Sequence, residues 1–257
     1  MFHDRRITMN KTLTMLLLAC VPLAAHAAPG GSTVTFDNGL EGWEAMQPLD
    51  GNGGSGIDHS LGNGAPALRT AMENFGISWT NKTNASFVGD YTSMKGVTFG
   101  IDVSTQSIRY FNQEVTRNLV LELRDYDNAS NGLPYTSVWY NLGTLDASKP
   151  GWQHLSVTIG DTSATGLPSG WGGYGAEDAS GMPYLPADRT FASVLASVDE
   201  IAFTTYVPGQ MYGFTDYDIA IDNISVSPVP EPAQGGMLAA GLAGIAVLAR
   251  RRAARTA

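Results

Sequence analysis

His154 and Ser156 stand two apart in QHLSVTI, a spacing that sets both side chains on one face of a strand, where an imidazole could serve as base to a hydroxyl. An ordinary surface pair has the same spacing. No Gly-x-Ser-x-Gly elbow occurs to favour a hydrolase of the α/β type. Paired carboxylates such as Asp125 with Asp127, or Glu177 with Asp178, could perform glycoside hydrolysis. Acids are so numerous that proximity in sequence singles out none. Sugar binding asks for aromatic faces beside polar groups, because pyranose C–H faces stack on rings while hydroxyls need hydrogen-bond partners. Residues 161–190 supply Trp171, Tyr174 and Tyr184 among six glycines and three prolines. This long loop would either form a ligand site or fold back over the core.

The elements that would position these residues read as strands. Short alternating runs, among them Gly96 to Val103, Leu119 to Asp125, Thr136 to Leu142, Gln153 to Ile159, Glu200 to Val207 and Tyr217 to Val226, are separated by Gly, Asn, Asp and Pro clusters. Leu119, Leu121 and Leu123 alternate with Val120, Glu122 and Arg124, as a half-buried strand requires. Trp139 and Tyr140 are adjacent on such a run and must face opposite ways. The pattern predicts an all-β, antiparallel sandwich. Only Phe191, Val194, Leu195 and Val198 follow a helical spacing, with Asp188 or Thr190 as cap, which predicts one short helix over the end of the sandwich.

The two ends differ from this body. Basic residues at Arg5, Arg6 and Lys11, an apolar stretch from Leu13 to Ala25 and the small-x-small run Ala25-His26-Ala27 before Ala28 make a secretory leader over residues 1–27. Leu17-Leu18-Ala19-Cys20 also has the form of a lipobox. With simple cleavage after Ala27 the only Cys leaves, and the exported domain holds itself together without disulfides. At the other end, residues 235–249 carry no charge. At about 1.5 Å per residue this helix would cover about 22 Å, short of the roughly 30 Å hydrocarbon core, which suits a temporary membrane hold. Arg250, Arg251, Arg252 and Arg255 would keep the extreme terminus cytoplasmic.

Pro230-Glu231-Pro232, an apolar helix and Arg250 to Arg252, in that order over residues 229–257, resemble the PEP-CTERM sorting signal of Gram-negative bacteria. The resemblance implies cleavage by a membrane-embedded exosortase and release to the cell surface or extracellular matrix, often among exopolysaccharide. Leaving aside residues 1–27 and 230–257, which hold three and four basic residues and one acid each, the body has 8 Lys+Arg against 22 Asp+Glu, a net charge of −14. Such a surface repels nucleic acid, which is bound through Lys and Arg.

Within residues 28–228, FDNGLEGW (Phe36 to Trp43), SFVGDYTSMKGVTFGIDV (Ser86 to Val103), RTFASVLASVDEIAFTTY (Arg189 to Tyr206) and IAIDNISV (Ile219 to Val226) resemble the laminin B, or laminin IV, domain. More broadly they are similar to galactose-binding jelly rolls, which include many carbohydrate-binding modules. The resemblance implies a jelly-roll β-sandwich with Trp43 and Trp152 as structural residues. It also implies that Asp37 and Asp222, with Asn223, could hold a structural Ca²⁺ between the first and last strands, against the plainer reading that Asp37 serves a turn and Asp222 a strand-end hydrogen bond. The expectation is a non-catalytic, exported surface or matrix protein that associates with extracellular polysaccharide. A secreted carbohydrate-active hydrolase and a purely structural matrix component are the alternatives.

Overall fold

A computed structural model describes residues 31–46, 53–64 and 66–229. The residues predicted for leader cleavage, Ala25, Ala27 and Ala28, and for the sorting signal, Pro230, Glu231, Pro232, Arg250, Arg251 and Arg252, lie outside the described residues. Among the described residues no helix is long and apolar enough to cross a membrane.

The strands in chain order are β1 (Ser32–Val34), β2 (Trp43–Ala45), β3 (Gly54–Asp58), β4 (Ala67–Asn74), β5 (Ser78–Asn81), β6 (Val97–Tyr110), β7 (Gln113–Glu114) and β8 (Arg117–Asp125). They continue with β9 (Thr136–Leu145), β10 (Gln153–Ile159), β11 (Trp171–Tyr174), β12 (Ala176–Glu177), β13 (Pro183–Tyr184), β14 (Glu200–Thr204) and β15 (Thr215–Pro228). One sheet runs β10-β6-β15-β4-β3, with β1 added to β15 and β7 to β6; the other runs β11-β9-β8-β14-β5-β2. All pairings are antiparallel, and the two sheets form the expected jelly-roll sandwich.

Alternation decides which side chains enter the core. Leu119, Leu121 and Leu123 of β8 meet Phe99, Ile101 and Val103 of β6 and Ile219 and Ile221 of β15 in one buried cluster. In β15 the phase of burial shifts, since Ile219 and Ile221 point inward and so do Ile224 and Val226. The extra residue is absorbed by a bulge after Asp222, where Asn223 takes the left-handed conformation at φ 48°. Trp43 and Trp79 are fully buried, and Trp79 Nε1 donates to Thr70 Oγ1 at 2.9 Å.

The single α-helix, α1 (Phe191–Leu195), starts at Thr190, whose side chain accepts from Ser193 N while Ser193 Oγ accepts from Thr190 N, a reciprocal capping box. Phe191, Val194 and Leu195 are the buried face. The segment before it folds back over the sandwich, with Ala192 N bonded to Ala164 O and Phe191 N to Thr165 O.

Candidate functional site

The outer face of the β11-β9-β8-β14 sheet carries a ladder of charges and rings. On β8 the side chains that alternate with the core leucines are Glu122 and Arg124. Register places Glu200 of β14 and Ser137 of β9 opposite Arg124, and Tyr174 of β11 opposite Ser137. Arg124 donates from Nε and Nη2 to Glu122 Oε2 at 2.8 and 2.6 Å and from Nη1 to Glu200 Oε1. Ser137 Oγ donates to Glu122 Oε1 at 2.6 Å, and Lys82 Nζ reaches Glu200 Oε2 at 2.9 Å. Both carboxylates are only 2% exposed, so each depends on these partners for its charge. Burial opposes the Arg124 cation, but the surrounding Glu122, Tyr135 and Glu200 outweigh it and raise its pKa.

Over this network lie three tyrosines. Tyr126 and Tyr135 flank the β8–β9 loop and stand 5.3 Å apart, centroid to centroid; Tyr135 and Tyr174 stand 5.2 Å apart. Arg124 sits 4.9 Å from the Tyr135 centroid and Lys82 5.8 Å from that of Tyr126. Burial, reinforced by Glu122, pushes the Tyr135 phenol up, so it stays a neutral donor throughout the physiological range. Trp139, opposite Glu122, continues the aromatic surface and lies over Gly172, where a Cβ would come within 2.2 Å of the indole. The result is a half-exposed aromatic row beside a cation at Lys82, with its acids committed to Arg124.

The structure separates the three aromatic residues of the 161–190 segment. Trp171 faces inward at 9% exposure, 5.1 Å from Phe191 and 5.5 Å from Tyr140, so it belongs to the core rather than to an exposed platform. Its edge borders a cavity of about 440 Å³ lined also by Ser156, Thr158, Asp161 and Ser169. Tyr174, three residues on, points to the opposite face and joins the tyrosine row. Tyr184 is exposed on β13, with Ala176 of β12 as its strand partner.

Asp222 is buried on the outer face of the other sheet, opposite Asp102. Its carboxylate accepts Asn63 N at 2.8 Å and Asn223 N at 2.7 Å, while Asp102 accepts Asn63 Nδ2, Asn223 Nδ2 and a bond with His154 Nδ1 at 2.7 Å. Burial raises the Asp222 pKa, and the neighbouring charges of Asp102 and Asp37 add to the effect. Asp37 instead takes a hydrogen bond from Thr35 Oγ1. Asp222 thus makes strand-end hydrogen bonds to backbone N–H groups and lies within electrostatic reach of Asp37, while the Asn223 amide nitrogen is turned to Asp102. Among the described residues no group of three or more His, Cys, Asp or Glu is placed to hold a metal. His154 uses Nδ1 on Asp102, and no hydroxyl among the described residues hydrogen-bonds its ring.

Tyr126, Tyr135, Glu122, Arg124 and Glu200 carry a site that no sequence motif marks. One signal was available: Glu122 and Arg124 place opposite charges on one face of a strand whose other face is all leucine.

No protein family and no curated protein matches this sequence. Solved structures of similar shape include an exo-beta-agarase, 13% identical at a TM-score of 0.45 over 78% of this chain and 25% of the agarase. The chain thus spans about a quarter of that enzyme's length. Others are the CBM22-1 xylan-binding domain of Paenibacillus barcinonensis Xyn10C, 12% identical, TM-score 0.43, covering 80% of this chain and 99% of the domain, and the C-terminal family 22 carbohydrate binding module of Clostridium thermocellum Xyn10B, 12% identical, TM-score 0.41, covering 78% and 96%. Likeness at this level concerns architecture and says nothing of a ligand.

Proposed function

We propose that this chain is an exported, non-catalytic surface or matrix protein of a Gram-negative bacterium, sorted through its PEP-CTERM tail by an exosortase, whose sandwich associates with extracellular polysaccharide. The observation that carries the binding part is the Tyr126–Tyr135–Tyr174 row, clamped from beneath by Arg124 and its two buried carboxylates. Rigid rings lose little freedom when a pyranose stacks on them, and the Lys82 ammonium and tyrosine hydroxyls can bond its hydroxyls. Both carboxylates are already occupied by the Arg124 guanidinium. The export part is supported by the leader and tail in the sequence.

Affinity electrophoresis through gels of neutral, acidic and amino polysaccharides tests the reading. The protein should be retarded in at least one gel, and Tyr135→Ala should weaken that retardation by about tenfold, given that base–aromatic and sugar–aromatic stacking are comparable in kind and a single ring is worth about 1–3 kcal/mol. Unretarded migration in every gel would leave a purely structural matrix component; release of reducing sugar would point to a hydrolase.

A further inference from the structure

A second aromatic groove opens on the opposite sheet, where β4 ends, β15 begins and β6 ends. Its volume is about 920 Å³, within the usual range for ligand sites. Four rings border it as two contacting pairs, Phe75 with Phe214 at 5.1 Å and Tyr110 with Phe111 at 4.5 Å, and all four are exposed. Phe111 is 82% exposed at the tip of the β6–β7 hairpin, where it and Asn112 both have positive φ, 49° and 60°. Asn and Gly normally fill such turns, and a bulky ring held there in water is maintained against both solvation and backbone preference. Gly213 allows the arrangement, since a Cβ there would come within 2.3 Å of the Tyr110 ring.

The floor between the ring pairs is polar and mostly acidic. Register sets Glu73 of β4 opposite Asp216 of β15, and Asp216 opposite Arg109 of β6. Glu73 and Asp216 are like charges directly across a strand pair, an unfavourable arrangement that no ion pair among the described residues relieves. Arg109 leans the other way, to Glu114 at 4.0 Å. A cation entering from solvent would relieve the Glu73–Asp216 repulsion and would lie against aromatic faces, where it gains a further electrostatic attraction.

We infer that this groove binds a cationic amino-sugar polymer, its pyranose faces on the Phe and Tyr rings and its ammonium groups between Glu73 and Asp216. A basic peptide shares the charge but brings no pyranose faces for the four rings, and β15 and β6, each paired on both sides near the groove, offer an extended chain no free edge to join. The inference goes beyond the tyrosine-row reading, and the two fail separately because the surfaces are on different sheets.

The test is calorimetric titration of the purified protein with partly deacetylated glucosamine oligomers and with fully N-acetylated oligomers of the same length, under conditions that keep the amines protonated. The deacetylated form should bind about tenfold more tightly, the scale of one well-desolvated cation–π contact. Phe111→Ala should weaken binding of both forms, while Glu73→Gln combined with Asp216→Asn should abolish the preference for the deacetylated form. These groove positions are exposed, so unchanged melting temperatures would confirm that each variant is folded. Equal affinity for the two oligomers would overturn the inference, as would binding of an oligolysine in place of either sugar.

Discussion

Replacing Arg124 with Met removes the one cation shared by Glu122 and Glu200. Each carboxylate is only 2% exposed, and breaking a buried ion pair by deleting one partner costs about 3–5 kcal/mol, because the other charge is left in a poor solvent. Lys82 still reaches Glu200 at 2.9 Å, whereas Glu122 keeps only the Ser137 hydroxyl, so the cost should fall near the lower end, about 3 kcal/mol. For a domain of this size that corresponds to a fall of about 6–12 °C in melting temperature, at about 2–4 °C per kcal/mol. Thermal melts of wild type and Arg124→Met at neutral pH measure the loss, and Arg124→Met combined with Glu122→Gln and Glu200→Gln should restore much of it. A loss below about 1 kcal/mol would show that the carboxylates do not rely on Arg124, and the clamped tyrosine row would lose its basis.

Trp171→Ala should act on stability, lowering it by about 3–5 kcal/mol in denaturant titration, because it opens a cavity beside Phe191 and Tyr140; an unchanged midpoint would contradict its inward position. Thr190→Ala removes half of the capping box and should cost about 1 kcal/mol by the same assay, with Thr190→Ser retaining most of it. Hydrogen bonds from His154, Asn63 and Asn223 outweigh burial and hold the Asp102 carboxyl below its ordinary value of 3.8. Its contribution is therefore present above that value and lost as pH falls below it. Asp102→Asn should be less stable than wild type at neutral pH, and the gap should close in acid melts below pH 3.8; a gap that persists there would refute the linkage.

Much of the fold was legible because strands such as β8 and β10 alternate apolar core side chains with polar ones and so write a two-residue period into the sequence. β4 was not legible in the same way. Its residues, ALRTAMEN, are mostly good helix formers, and tertiary pairing with β3 and β15 overrides that preference while Leu68 and Met72 still point inward. In β11, WGGY, two glycines hide the alternation that would have shown Trp171 and Tyr174 to face opposite ways. Thus a strand reads as an aromatic loop, and the three ring residues of that segment look like one site when they are not. Neither aromatic surface could be found from local sequence. Tyr126, Tyr135 and Glu200 meet only because β14 pairs with β8, and Glu73, Asp216 and Arg109 only because β15 lies between β4 and β6.

The first strand returns alongside the last, Ser32 against Val226, while the opposite end of β15 begins at Thr215 beside the Phe214 groove. Residues 32 and 226 therefore lie at one pole of the described body, and a strand of 14 residues, about 45 Å at about 3.3 Å each, separates that pole from the groove. Attachment at that pole would hold the body like a post fixed at its base, with the Phe75, Tyr110, Phe111 and Phe214 rings at the far tip.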